Sequence, residues 1–187
     1  MRRPLEKDTR RKLTELYLYV TRHCEGHTHA GRVKINKLMF LADFLAYARR
    51  GQSITGANYI KLARGPVPFG IDEIRTHLIE AKQGVEREEP IPSGRTQHRF
   101  LAGRSADLSV FSAEDIDIAR EVLESCRDAT GEDLIGASHQ FKAWQLAREK
   151  EDIPYASVAI PDDPLQLTYA EREWAAKACE EISRAAA

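Results

Sequence analysis

No stretch of this chain approaches about eighteen consecutive apolar residues, so no membrane-spanning helix is expected. The opening MRRPLEKDTRRK carries charge with no apolar run behind it, which argues against a secretory signal. Cysteine is scarce: Cys24, Cys126 and Cys179 are odd in number and far apart. That pattern excludes a disulfide framework and suits free thiols in a reducing compartment, so a cytoplasmic protein is expected. Internal repeats and low-complexity linkers are lacking, which makes one domain over residues 1–187 the simplest organisation.

The usual marks of chemistry are missing as well. There is no G-x-S-x-G elbow, and neighbours in sequence such as Ser138 and His139 do not form a nucleophile–base pair, which needs convergence in space with a third group. His23, Cys24, His27 and His29 match no paired zinc spacing, and no second ligand pair follows. Gly65-Pro66-Val67-Pro68 lacks the spaced glycines and terminal Gly-Lys-Ser/Thr of a phosphate loop, and its prolines remove backbone donors. It reads as a rigid corner. Neither enzymatic activity nor a metal or cofactor is expected.

What is present is a mostly helical pattern. Apolar residues make up 42% of the chain, enough for one sizeable core. Leu13, Leu16, Tyr17, Val20 and Cys24 follow helical spacing after Pro4 and should end near His23. A second run from Ile35 to Arg50 is apolar on most sides (Ile35, Leu38, Met39, Leu41, Ala42, Leu45), the mark of a helix buried mid-domain. Two arginines and then Gly51 end it. A turn at Ser53–Gly56 and a strand-like run from Tyr59 to Ala63 follow. Ile71, Ile74 and Leu78 mark a third helix closed by Gly84. Val85–Pro92 and Gln97–Leu101 read as a hairpin whose Glu86, Glu88 and Glu89 suit a solvated edge. Ser112 with Asp115 opens a fourth helix bearing Ile116, Ala119, Val122, Leu123 and Cys126. A shorter helical piece runs through Ser138 and His139 to Trp144, with Ser138 as its cap and His139 donating to a backbone carbonyl. Thr168 with Glu171 caps a last helix that buries Trp174, Ala178 and Ile182. The expected class is mainly α (α+β): a compact multi-helix domain around a central buried helix, with a small antiparallel sheet or hairpin.

One polar line crosses the central helix: Asn36, Asp43 and Arg50 at spacings of seven, with Phe40 and Tyr47 between them. A lone acid among apolar residues needs a partner, so Asp43 pairs with a lysine, an arginine or a tyrosine hydroxyl. Facing outward, Phe40, Asp43, Tyr47 and Arg50 would form an aromatic-and-charge surface of the kind that anchors protein interfaces, extended by Lys61 and Arg64. Facing inward, Phe40 and Tyr47 complete the core.

Charge is uneven along the chain. Residues 1–104 hold 20 Lys+Arg against 11 Asp+Glu, and the remainder 8 against 18. A basic face for an acidic partner and mutual attraction of the two halves both fit, and the scatter of the bases through amphipathic elements favours the second. Arg2, Arg3, Arg10, Arg11 and Lys12 could touch phosphates, but no recognition-helix motif or zinc finger accompanies them, so nucleic acid is not the expected partner. A DNA-binding regulator using the basic half stands as the alternative function.

The order of several segments resembles the Panacea antitoxin domain, also called SocA-like, often found in phage-associated genes. They are Lys37-Leu38-Met39-Phe40-Leu41-Ala42-Asp43, Gly56 with Tyr59, Gly65-Pro66-Val67-Pro68, and Ser138-His139 followed by Trp144. They span the chain from about the first helix to Ile153-Pro154-Tyr155. The resemblance implies an antitoxin that neutralises a separately encoded cognate toxin by direct protein–protein contact. In one branch of that family the antitoxin also acts as a proteolytic adaptor, delivering its toxin to ClpXP. Lys61 and Arg64 stand where smaller or neutral residues belong, a departure that bears on partner specificity. Residues 161–187 have no counterpart and read as a helical extension for homodimer formation or partner contact.

Overall fold

The computed structural model describes residues 4–91 and 94–159. Helix α1 (Lys7–His23) starts three residues after Pro4 and buries Leu13, Leu16, Tyr17, Val20 and, just past its end, Cys24, as the periodicity predicts. Leu18 and Tyr19 are buried too, so α1 is covered on more than one side. Helix α2 (Arg32–Arg50) begins three residues before the apolar run and stops at Gly51, whose left-handed backbone lets its N–H donate to Tyr47 O at 2.8 Å. It packs against α1, strands β2 (Gly65–Pro68) and β4 (Thr96–Ala102), helices α4 (Ala113–Ser125) and α5 (Gly131–Gln140), and the 3₁₀ turn at Tyr155–Ala159.

Strands β1 (Tyr59–Leu62) and β2 (Gly65–Pro68) pair antiparallel, and a short β5 (Asp152–Ile153) pairs with β1 on its other side. The Gly-Pro-Val-Pro segment is therefore a strand and not a corner. Its two prolines are tolerated because β2 is the edge of the sheet, where a missing N–H breaks no interior ladder. Helix α3 (Ile71–Glu80) also departs from expectation. It ends before Lys82, a non-glycine residue at φ 56, and Gly84 instead opens the next strand.

That strand, β3 (Gly84–Pro90), pairs with β4 (Thr96–Ala102) in one register from Gly84 opposite Ala102 to Pro90 opposite Thr96. Phe100 of β4 lies against Tyr17 with ring centroids 5.1 Å apart, which docks the hairpin on α1. Glu88 is solvated as expected, but Glu86 is not: it pairs with both Arg32 and Arg75, tying the hairpin to α2 and α3.

Helix α4 (Ala113–Ser125) carries the full Ser112–Asp115 capping box and buries Ile118, Ala119, Val122 and Leu123, while Ile116 is half-buried. Thr130 and Asp133 form a second capping box at the start of α5 (Gly131–Gln140). The expected single helical piece is two: Phe141 is extended and separates α5 from α6 (Lys142–Leu146). The last helix read from the sequence, with Thr168, Glu171, Trp174, Ala178 and Ile182, lies outside the described residues, as do Cys179 and the 161–187 extension.

The result is a mainly helical α+β fold with two buried clusters. The larger fills the space among α1, α2, α3, α4 and β4; the smaller is aromatic, built from Phe40, Phe44, Tyr59 and Ile153 with Phe141, Trp144 and Tyr155 packed on it. Among the described residues no helix is long and apolar enough to cross a membrane. Acids of the second half reach back to bases of the first: Arg11 to Asp107, Arg49 to Glu121, Arg50 to Glu114 and Asp115. The two oppositely charged halves meet each other, as the scatter of the bases favoured.

Candidate functional site

Helix α2 carries two buried polar constructions, one at Asp43 on the polar line and one at Lys37 off it. Asp43 is wholly buried. Its Oδ1 accepts from Thr55 N at 2.8 Å, and its Oδ2 accepts from Thr55 Oγ1 at 2.6 Å and from the Tyr59 hydroxyl at 2.8 Å. Of the three expected kinds of partner it is the tyrosine hydroxyl, from Tyr59, that is found, and the turn at Ser53–Gly56 adds a second partner, Thr55, that periodicity did not reveal. Burial drives the Asp43 carboxyl up to about 6, against the pull of the Thr55 and Tyr59 hydrogen bonds. The Tyr155 hydroxyl donates to Ala57 O at 2.6 Å and closes the same loop from the other side. Asp43 therefore holds the 53–57 loop and β1 against α2.

Lys37 lies nearly two turns earlier and is 2% exposed. Its Nζ donates to Pro66 O at 2.8 Å, and among the described residues it makes no ion pair. Burial first, and then the charge of Arg64, push this amine down to about 7. Gly65 leaves room for it. At φ +92, a Cβ on Gly65 would stand 2.5 Å from Ser138 Oγ and 2.6 Å from Lys37 Cε. Ser138 sits inside α5 and donates to Ile135 O at 2.9 Å, so it does not cap the helix that bears Trp144.

His139 does not donate to a carbonyl either. Its ring stacks on Trp144 at 3.7 Å with an interplanar angle of 11°, and Lys61 Nζ stands 4.2 Å from the Trp144 ring centroid. Burial, then the charges of Lys37 and Lys61, lower the imidazole. His139 Nε2 and Trp144 Nε1 are shielded from solvent with no hydrogen-bond partner among the described residues. Asp43 and His139 do not meet: the acid is held by Thr55 and Tyr59 while the imidazole lies on Trp144. The Ser138 hydroxyl is engaged within its own helix. This arrangement positions and holds; it contains no assembled proton relay.

The outward surface proposed for α2 is corrected at two residues. Phe40 and Asp43 are both fully enclosed, because β1 and the Tyr155–Ala159 turn cover that face of the helix. Phe40 instead packs edge-on against Tyr59 and Phe141, centroids 5.4 and 5.3 Å away. Tyr47 is half-buried and stacks on Tyr155 at 5.4 Å. Arg50 is half-buried against Glu114 and Asp115. Lys61 is half-buried over Trp144, and Arg64 is exposed, 3.9 Å from Glu132. In the histidine-rich loop, His23 Nδ1 lies 2.8 Å from Tyr19 O, and no group of three or more candidate ligands among the described residues could hold a metal.

Lys37 is the residue whose role sequence reasoning missed. The signal was a lysine on a helix apolar nearly all round, where a cation has to find a partner indoors.

Fold and site together define a mainly helical α+β domain whose buried central helix holds an acid and a lysine in separate polar nests. The chain belongs to the antitoxin SocA-like, Panacea domain family: that family's model matches residues 35–145, from the first turn of α2 into α6. The matched span contains Asp43, Thr55 and Tyr59 as well as Lys37, Gly65, Ser138, His139 and Trp144. No curated protein and no solved structure matches the chain.

Proposed function

We propose that this protein is the antitoxin of a toxin–antitoxin pair, acting in the cytoplasm by direct binding of its cognate toxin and not by catalysis. The family membership over residues 35–145 carries the reading. The geometry supports it, since Asp43 and Lys37 are engaged in holding a loop and strands in place and Ser138 is bonded within its own helix. Against the rival DNA-binding reading, Arg11, Arg49 and Arg50 of the basic half pair with acids of the second. Toxin contact centres on Tyr47 and Lys61, the two members of the α2–β1 set that are half-buried and not ion-paired to a neighbouring helix.

The test is co-expression with the product of the adjacent open reading frame. The neighbour should arrest growth alone, spare cells that also make this protein, and co-elute with it at a mass that also reports any homodimer. Rescue without a stable complex would overturn direct neutralisation. Toxin half-life measured with purified ClpXP and ATP, with and without this protein, reads out the adaptor activity separately.

A further inference from the structure

A groove of about 470 Å³ is lined by α2, the second half of α4, the start of α6 and the Tyr155–Ala159 turn. Its α2 wall is a stripe, Leu41, Leu45 and Ala48, at spacings of four and three. Leu41 and Leu45 are half-buried and Ala48 is exposed, whereas the neighbouring Ala42 and Ala46 are enclosed. Among the described residues, the central helix thus presents one apolar strip to solvent, and it does so here.

The chain leaves the described fold at the same groove. Val158 lines it, and residues 160–187 follow directly from Ala159. Their sequence places Trp174, Ala175, Ala178, Cys179 and Ile182 at the spacing of one helix face, behind the Thr168–Glu171 capping pair. So short an amphipathic stretch is marginal in water by itself and gains its stability by covering that face. Residues 160–168 span about 30 Å when extended, ample to return the stretch to the groove they start from. A tether of that length keeps it beside the groove at an effective concentration on the order of millimolar. Charge agrees as well. Residues 160–187 carry six acids against three bases, and Lys142 on the groove's rim has no ion pair among the described residues.

We infer that residues 168–182 of the same chain dock in this groove, laying their apolar face on Leu41, Leu45 and Ala48. The Trp174 indole supplies most of the buried area, roughly 150–250 Å². Ala175 and Ala178 beside it are small enough to let the two backbones approach. Docked in this way, Cys179 comes to lie beside Cys126, a half-buried free thiol that lines the groove at the end of α4. The inference does not rest on the antitoxin reading, since it is measured on the isolated chain without a toxin.

Disulfide capture in the full chain, with its own cysteines, tests it. Diamide, which takes up two electrons and two protons, should join Cys126 Sγ to Cys179 Sγ within a monomer, while the enclosed Cys24 stays reduced. Peptide mass spectrometry of the monomer band on a non-reducing gel reads the bond. Ala48→Gln puts a good helix former at an exposed position, so it is harmless if water fills the groove. With the segment docked it should lower the urea midpoint and suppress the cross-link, as should Trp174→Ser. The two changes together should shift the midpoint no further than the larger does alone, because both break one contact. A parent chain that forms no Cys126–Cys179 bond would overturn the inference, as would an Ala48→Gln chain that unfolds and cross-links like the parent. Additive midpoint shifts would overturn it as well. So would a disulfide formed only between chains, by making a second copy the occupant of the groove.

Discussion

At the residue scale, Asp43 and Lys37 make opposite demands on pH. The Asp43 carboxyl is raised from 3.8 to about 6, so the native state holds its proton more tightly than the unfolded chain. Its contribution is full below pH 3.8 and is lost as pH rises through about 6, by roughly 3 kcal/mol over two units. Asp43→Asn should abolish that slope in urea denaturation followed between these limits; a slope that survives would place its origin elsewhere. Asp43→Ala strands Thr55 and the Tyr59 hydroxyl and should lower stability by about 3 kcal/mol or more. Lys37 is depressed from 10.5 to about 7, so its contribution is present above 10.5 and lost as pH falls through 7. At neutral pH the cost of charging it exceeds what one bond to Pro66 O returns, about 1 kcal/mol. Lys37→Met should therefore melt higher than the parent at pH 7, and a lower melting temperature would show that the bond to Pro66 dominates.

At the element scale, β2 lines the Lys37 nest and pairs with the strand that bears Tyr59, and its residues differ sharply in tolerance. Gly65 is held at φ +92 against Ser138 and Lys37, so Gly65→Ala adds backbone strain of about 1–3 kcal/mol to a steric overlap. Pro66→Ala, on the same edge strand, loosens mainly the unfolded chain and should lower stability by about 1 kcal/mol or less. Equal urea midpoints for the two variants would contradict this reading of the strand. At the far end of α2, Arg50→Ala should destabilise by leaving the enclosed Asp115 unpaired. Tyr47→Ala should instead reduce toxin rescue with a small change in melting temperature, since only its stack on Tyr155 is lost. If melting and rescue fall together, Tyr47 belongs to the core and not to the contact.

At the scale of the whole molecule, the two charged halves close on each other through pairs that are largely exposed, Arg49–Glu121 and Arg11–Asp107 among them. Such pairs contribute about 0–1 kcal/mol each and are screened by salt, so high salt should lower the melting temperature only by a few degrees. A collapse of the fold in salt would mean that charge, and not the apolar core, holds the halves together. Local pattern in the sequence alone determined helices α1, α2 and α4, the buried character of α2 and the capping box at Ser112, because each depends on residues within a few positions of one another. It also determined that Asp43 needs a partner, since a buried carboxylate does whatever the fold. Tertiary structure decided the rest. It chose Thr55 and Tyr59 as those partners, turned Phe40 inward under β1 and Tyr155, and made a strand of Gly65–Pro68 by supplying β1 beside it. It also drew Lys37, Gly65 and Ser138 together from across a hundred residues. Spacing along a chain specifies which face of a helix is apolar. Which element covers that face, and which charge ends up indoors, depends on contacts between segments that no local pattern encodes.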